Sequence, residues 1–344
     1  RVIGTLAPLI YAGTLAILAL VLAAGTSIYG AQRWIGVGPF SFQPSELAKV
    51  ATVICLAKYW ATRGSGGLRP LLVSLAIVAA PVALVYGQPD LGTALVLLSI
   101  WLGTAFAAGA PLKWIGTLLA VPFIGFPVVW GMLHDYMRRR LTTFWAPEKD
   151  PLGEGYNLIQ AKISVGSGHW WGRGLGNGTQ TQLNFLRVQH SDFIFAVLGE
   201  ELGFVGALTL LILFGLLFTR CLRVAARSRD EFGRLMAFGV TSMLFFQTFV
   251  NVGMNIGLLP VTGIPLPFIS AGGSSLLSIF VSLGLLQSVL VHSQARRYDT
   301  QPNVRVPATL RLRRTRFPLG WSPGLGSATG QRAAGGARPV GVGR

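Results

Sequence analysis

The chain has 344 residues, 51% hydrophobic and 12% charged, against roughly 25% charged in a typical soluble domain. Its apolar residues fall in blocks of about 20, long enough to cross a hydrocarbon core, which excludes an ordinary soluble domain. The net charge of +17 is uneven, because residues 301–344 carry eight Arg and no acid amid Pro, Gly and Ser and cannot bury a core.

In chain order the apolar runs cover 5–26, 44–61, 70–87, 90–109, 112–133, 193–219, 234–258 and 271–292. Backbone polar groups must be satisfied internally in lipid, and the alternation of a barrel strand is absent, so all eight runs are expected to be helices. The predicted fold is an all-α polytopic membrane protein: five spanning helices in 1–133, a large external loop at 134–192, three more helices in 193–298, and a disordered basic cytoplasmic tail from 299 to 344. The tail's charge suits anionic lipid or nucleic acid, but its composition favours a merely solvated tail, and no nucleic-acid partner is expected. No signal peptide is visible and the chain starts at Arg1, which suggests a natural N-terminus further upstream.

Loops carrying Arg63 and Arg69, Lys113, the Arg220 to Arg234 group, and Arg296 with Arg297 share one side if the runs alternate; the positive-inside rule makes that side the cytoplasm. The 134–192 segment then faces outward. A structureless stretch of that length is uncommon in a compact bundle, and Trp145, Tyr156, Trp170, Trp171 and Phe185 are too aromatic for a solvated linker. Six Gly between 166 and 178 offer tight turns.

Polar residues at membrane depth are functional hypotheses by default. Glu46 and Lys49 lie three apart on one helical face, behind Ser45 as a candidate cap; they suit a structural ion pair or a contact to a charged substrate. Asp90, in the Gln88-Pro89-Asp90 break, suits a helix cap or a ligand contact. Asp192 ends the polar loop at head-group level, behind Ser191 as a candidate cap. Glu200 and Glu201 follow about 12 to 13 Å deeper on a regular helix, as interhelical bonding groups or a proton relay. Gln247, Asn251 and Asn255 repeat every four residues as interhelical glue. The 263–275 segment reads as a stiff external re-entry before a helix start. His134, His169 and His190 lack zinc spacing, and Cys55 and Cys221 imply neither disulfide nor metal.

Six motifs in register resemble one family: Gln43-Pro44-Ser45-Glu46-Leu47-Ala48-Lys49, Gln88-Pro89-Asp90-Leu91-Gly92-Thr93, Asp150-Pro151-Leu152-Gly153-Glu154-Gly155-Tyr156-Asn157, Gly178-Thr179-Gln180, Asp192-Phe193-Ile194-Phe195-Ala196 with Glu200-Glu201-Leu202-Gly203, and Pro265-Leu266-Pro267-Phe268-Ile269-Ser270. Across roughly residues 1–298 the chain resembles the shape, elongation, division and sporulation family, and its elongation branch, RodA, more than its division branch, FtsW. The resemblance implies a ten-helix peptidoglycan glycosyltransferase of the bacterial cytoplasmic membrane, whose first two helices have no counterpart here. It implies lipid II as substrate on the outer face, an elongation complex, and a class B penicillin-binding protein transpeptidase as partner. The family's essential aspartate corresponds to Asp192, its glutamate and lysine to Glu46 and Lys49, and the aspartate of its interhelical break to Asp90. Departures from the family pattern occur at Leu186-Arg187-Val188, Ser270-Ala271-Gly272-Gly273 and Gly168-His169.

That chemistry needs a base for the acceptor 4-hydroxyl and charge stabilisation for undecaprenyl pyrophosphate, which leaves without a proton. Asp192 is the expected base; Lys49, Arg140, Lys162 and Arg173 are candidate pyrophosphate contacts, with Arg138, Arg139 and Arg187 equally external. A divalent cation could share the role, although no spacing demonstrates one. The rival readings are a lipid II flippase or transporter, with Glu46, Lys49, Asp90, Glu200 and Glu201 forming a polar path, and a noncatalytic scaffold for the transpeptidase.

Overall fold

The computed structural model describes residues 2–28, 31–37, 40–133, 135–149, 153–183, 185 and 190–299. His134, Asp150 to Leu152, Arg187 with its neighbours, and the basic tail from residue 300 onward lie outside the described residues. All eight apolar runs contain helix: α1 (Val2–Ala24), α2 (Pro44–Arg63), α3 (Leu68–Gly87), α4 (Leu91–Ala107), α5 (Leu112–Ile124) with α6 (Phe126–Met132), and, after the 134–192 segment, the three last helices. The 134–192 segment, expected to be an external loop, folds as α7 (Asp135–Trp145), a 3-10 turn (Pro147–Lys149), α8 (Glu154–Ser167) and the short α9 (Thr179–Gln182). The chain then ends its described part in α10 (Ile194–Arg227), α11 (Glu231–Asn255) and α12 (Gly273–Asp299).

Five of these are long and apolar enough to cross a membrane: α1, α3, α10, α11 and the Gly273–Ser293 part of α12. The expected count of eight is not reached on length and apolarity, for three separate reasons. Helix α2 is long enough, but Glu46, Lys49, Lys58 and Arg63 dilute its apolar character. Helix α4 is apolar but shorter. The 112–133 run breaks at Gly125 into α5 and α6.

Burial sorts the helices. α11 is mostly buried, whereas α1 and α10 expose most of their apolar side chains, as expected where lipid is the outer solvent. Small residues let α11 approach its neighbours closely. A methyl group at Gly239 would sit 2.9 Å from Val53 and 3.0 Å from Thr104, and one at Gly103 of α4 would overlap Ser242.

Three features depart from the sequence-based expectation. A three-stranded antiparallel sheet, β1 (Thr26–Ile28), β2 (Ala31–Val37) and β3 (Phe40–Phe42), joins α1 to α2, so the all-α bundle carries a small β element and α1 stops two residues before the expected 26. Its β-branched and aromatic residues suit a half-buried ribbon. Secondly, the Arg220 to Arg234 "loop" is mostly helix: α10 runs to Arg227 and α11 resumes at Glu231. Likewise α12 continues past Arg296 and Arg297. Thirdly, α10 is broken at Gly203, whose φ of 67° and ψ of −167° are reachable by glycine alone.

The break organises the glycine-rich 168–182 segment. The amides of Arg173 and Gly174 donate to the Glu200 and Glu201 carbonyls, while Phe204 and Val205 amides donate to His169 and Trp170 carbonyls. Glu200 Oε1 accepts from the Gln180 amide (2.9 Å) and Thr179 Oγ1 (3.3 Å), and Glu201 Oε1 from the Gly176 amide (3.1 Å). Glu200 thus bonds between α10 and α9, as one reading of the sequence expected, and the two carboxylates together tie the 168–182 segment to the helix break. The approach is so close that a methyl on Gly203 would lie 2.2 Å from the Gly172 nitrogen, and one on Gly172 2.1 Å from the Glu201 oxygen. Gly203→Ala should therefore cost about 1 to 3 kcal/mol in backbone strain alone and expel the loop. Limited trypsin digestion at Arg173 reads this directly: cleavage should accelerate in the variant, and an unchanged rate refutes the pinning.

Candidate active site

Asp192 sits in a turn whose backbone is held from three sides. Its carbonyl accepts from Asn251 Nδ2 (3.1 Å) and Asn255 Nδ2 (3.0 Å). The Ser191 carbonyl accepts from Ser270 Oγ (2.6 Å), and the His190 carbonyl from the Ala271 amide (2.8 Å). Asn251 also donates to Ile264 O (2.8 Å), and Asn255 Oδ1 accepts from the Ala196 amide (3.0 Å). The asparagines are thus not plain interhelical glue: they fasten α11 to the turn and to the 263–272 segment, satisfying backbone groups that would otherwise be buried unpaired. Gln247, one turn earlier, is buried with its Oε1 outside this set.

The carboxyl group itself is half-buried. Oδ1 accepts from Ser191 Oγ (3.0 Å). A methyl at Gly263 would stand 3.7 Å from both Asp192 Oδ2 and Arg140 Nη1, so glycine there, at φ 73°, keeps the backbone close beneath the pair. Arg140 comes from α7 and stacks its guanidinium over Tyr136, 4.3 Å from the ring centroid.

Ser191 does not cap α10. Phe193 occupies the cap position, leaving Asp192 outside the first helical turn, where the macrodipole fades. Desolvation pushes the Asp192 carboxyl above its ordinary range and the nearby Asp90 charge adds to this, while the Ser191 hydroxyl, Arg140 and Arg33 pull the other way. Arg140→Gln removes one downward influence, so the acid limb of the pH–rate profile should move to higher pH. A limb that stays put, or moves down, refutes the electrostatic link between the two residues.

Asp90 caps α4, accepting from the Thr93 amide (3.1 Å) and hydroxyl (2.9 Å), and it also accepts from Gln43 Nε2 (3.1 Å). It belongs to the same electrostatic neighbourhood as Asp192. Backbone contact brings the Asp90 break against the 262–264 stretch that also underlies Asp192: a methyl at Gly92 would lie 2.6 Å from the Thr262 carbonyl. Arg33, not singled out from sequence, reaches from β2 to the Gln88 carbonyl (2.8 Å) and the Pro89 carbonyl. The signal that would have found it is an arginine in an aromatic, strand-like stretch between two apolar runs.

Glu46 and Lys49 form a buried pair, Nζ to Oε1 2.7 Å, and Ser278 Oγ donates to Glu46 Oε2 (3.0 Å). With Lys49 only 1% exposed, direct contact with a substrate would require the pair to open. Ser45 does not cap α2; Gln43 is the cap residue, Pro44 holds the first position, and Ser45 Oγ is buried without a partner. Lys162 of α8 is exposed and lies against Gly257. Arg173 is held by Ser167 O (3.3 Å) and Thr179 Oγ1 (3.1 Å), at the level of Glu200, about 12 Å along α10 from Asp192. Among the described residues no three His, Cys, Asp or Glu side chains gather into a metal donor set. Asp192, Asp90, Arg140 and Arg33 form a mixed-charge cluster instead.

Residues 1–295 match the model of the cell cycle protein family FtsW, RodA and SpoVE. The chain is 43% identical over 295 residues to the peptidoglycan glycosyltransferase MrdB of Escherichia coli K12, covering 85% of this chain and 80% of MrdB. It is 39% identical over 296 residues to the probable peptidoglycan glycosyltransferase FtsW of Tolumonas auensis, covering 84% and 75%. The rod shape determining protein RodA of Thermus thermophilus superposes with a TM-score of 0.62 at 34% identity, over 85% of this chain and 79% of that one. A chain from a peptidoglycan synthase complex that coordinates polymerization and crosslinking superposes at 0.72 with 35% identity, over 86% and 82%. This chain therefore belongs to the shape, elongation, division and sporulation family of membrane-embedded, multi-pass peptidoglycan glycosyltransferases.

Proposed function

We propose that this protein polymerises lipid II into glycan strands during cell elongation, with Asp192 as general base. Asp192 takes the proton of the acceptor 4-hydroxyl as that oxygen attacks the donor's anomeric carbon. The bond from that carbon to the pyrophosphate oxygen breaks, and undecaprenyl pyrophosphate departs without needing a proton. A carboxyl raised by burial is a stronger base than a solvated one, and partial shielding from water keeps it available for the sugar hydroxyl.

The observation that carries this reading is the fastening of the Asp192 backbone by Asn251, Asn255 and the 263–272 segment beside Arg140. A general base must be held in place, and these bonds hold it without consuming its carboxylate. Among the candidate cations, Arg140 stands beside the base and is assigned the developing pyrophosphate charge. Lys162 and Arg173 are assigned to the more distant donor contacts along the outer loop. Asp90 is assigned a substrate contact from the membrane side, and the Glu46–Lys49 pair one that requires it to open.

The reaction is placed on the outer face of the cytoplasmic membrane by the positive-inside reading, with 134–192 outside, between the 1–133 and 193–298 helices. The relation to a synthase complex supports a class B transpeptidase as partner within an elongation complex. The flippase reading loses support from Glu200 and Glu201, whose side chains accept loop amides rather than lining a path. Purified protein supplied with lipid II, with and without the transpeptidase, tests the proposal. Polymer supports it; leaflet exchange in liposomes without polymer favours a flippase, and neither activity favours a scaffold.

A further inference from the structure

Helix α10 ends in three arginines, Arg220, Arg223 and Arg227, at spacings of three and four that set them on one helical face. Helix C-termini attract cations through the macrodipole, which explains basic residues there but not what they surround. They line a cavity of about 550 Å³ between α10 and α12, whose α12 wall is apolar apart from Gln287 and includes Phe280, Leu283 and Gly284. Among the residues whose side chains are described, up to Ser293, no acidic side chain lines this cavity and no ion pair involves the three arginines. Counted from the break at Gly203, Arg220 lies about 26 Å and Arg227 about 36 Å along the helix, bracketing a hydrocarbon core of roughly 30 Å. The arginines therefore stand at the head-group level of the membrane face opposite the Asp192 turn, whichever face that is.

We propose that this groove is a binding site for an anionic phospholipid, its phosphate among Arg220, Arg223 and Arg227 and an acyl chain along the Phe280–Gly284 wall. The charge is complementary, guanidinium forks suit phosphate oxygens, and the apolar wall continues into the lipid-facing surface of α10 and α12. A free phosphate would use the arginines and leave the wall unused; a neutral lipid would do the reverse.

The full chain in mild detergent, titrated with dioleoylphosphatidylglycerol or dioleoylphosphatidylcholine and read by native mass spectrometry, tests this. At roughly fivefold per basic contact, three arginines should favour phosphatidylglycerol by about a hundredfold. The R220Q/R223Q/R227Q variant should lose that preference, whereas R63Q/R69Q, altering exposed arginines elsewhere, should keep it. Gly284→Leu has open space for its side chain and leaves the charge unchanged, so it should weaken both lipids by filling the groove even if the triple variant folds poorly. Glycerol 3-phosphate should not compete. Equal retention of the two lipids, preference surviving in the triple variant or lost in R63Q/R69Q, unchanged binding by Gly284→Leu, or competition by glycerol 3-phosphate would each overturn the proposal.

Discussion

Asp192→Asn should lower polymerisation by about 10² to 10⁴-fold while leaving the protein folded, since loss of a general base typically costs that much. The fold is expected to survive because the bonds from Asn251 and Asn255 go to the Asp192 carbonyl, which the substitution retains. Stability gives an independent readout with a definite sign. Burial raises the folded-state pKa of Asp192, so its contribution to stability falls as pH rises from the ordinary carboxylate range through that raised value. Above that window the native carboxylate is a net cost. The Asn variant should be at least as stable as the wild type at neutral pH, and should lose this part of the pH dependence. Thermal unfolding across pH, paired with lipid II polymerisation, checks both. Near-normal polymer yield would remove Asp192 from the chemistry, and a marked loss of stability at neutral pH would contradict the burial argument.

The second large effect is expected at the pair in α2. Glu46→Ala leaves the Lys49 ammonium 1% exposed with its carboxylate partner gone, and breaking a buried pair in this way typically costs about 3 to 5 kcal/mol. Lys49→Ala should cost a similar amount by stranding Glu46, which keeps only the Ser278 hydroxyl. The double change Glu46→Gln with Lys49→Met removes both charges, preserves an acceptor for Ser278 and should recover most of the stability. Exposed Arg69→Ala is the reference and should leave the unfolding midpoint near wild type. Recovery of stability in the double variant with polymerisation still lost would assign the pair a role toward substrate. Single variants as stable as Arg69→Ala would end the idea that the pair holds the bundle.

Much of this molecule was legible from sequence because its governing signals are local. Long apolar runs announced helices, since hydrocarbon admits few other ways to satisfy a backbone. The Glu46–Lys49 spacing announced a pair on one face, and Pro89 with Asp90 a break between two helices. Other local signals misled where a neighbour in space competed with one in sequence. Ser45 and Ser191 looked like caps, but Gln43 with Pro44 holds the start of α2, and Ser191 turns its hydroxyl to the Asp192 carboxylate. The tract of aromatic residues and two short β-branched stretches between α1 and α2 carried no periodicity long enough to reveal the sheet that delivers Arg33.

The sequence by itself determined the membrane class, the helical runs, the uneven positive charge and a carboxylate at the mouth of an apolar run. Tertiary structure alone decided what surrounds that carboxylate. Asn251 and Asn255 lie 59 and 63 residues from Asp192, and Ser270 lies 79 from Ser191. Tertiary structure also decided that Glu200 and Glu201 hold the 168–182 segment, because glycine at 172 and 203 allows two backbones to meet where any larger residue would hold them apart. Helix formation and membrane insertion depend on the chemistry of each consecutive stretch, which a single chain displays in order. Burial, pKa and the pairing of distant charges depend on which stretches pack together, and hydrophobic patterning, being non-directional, does not specify that choice.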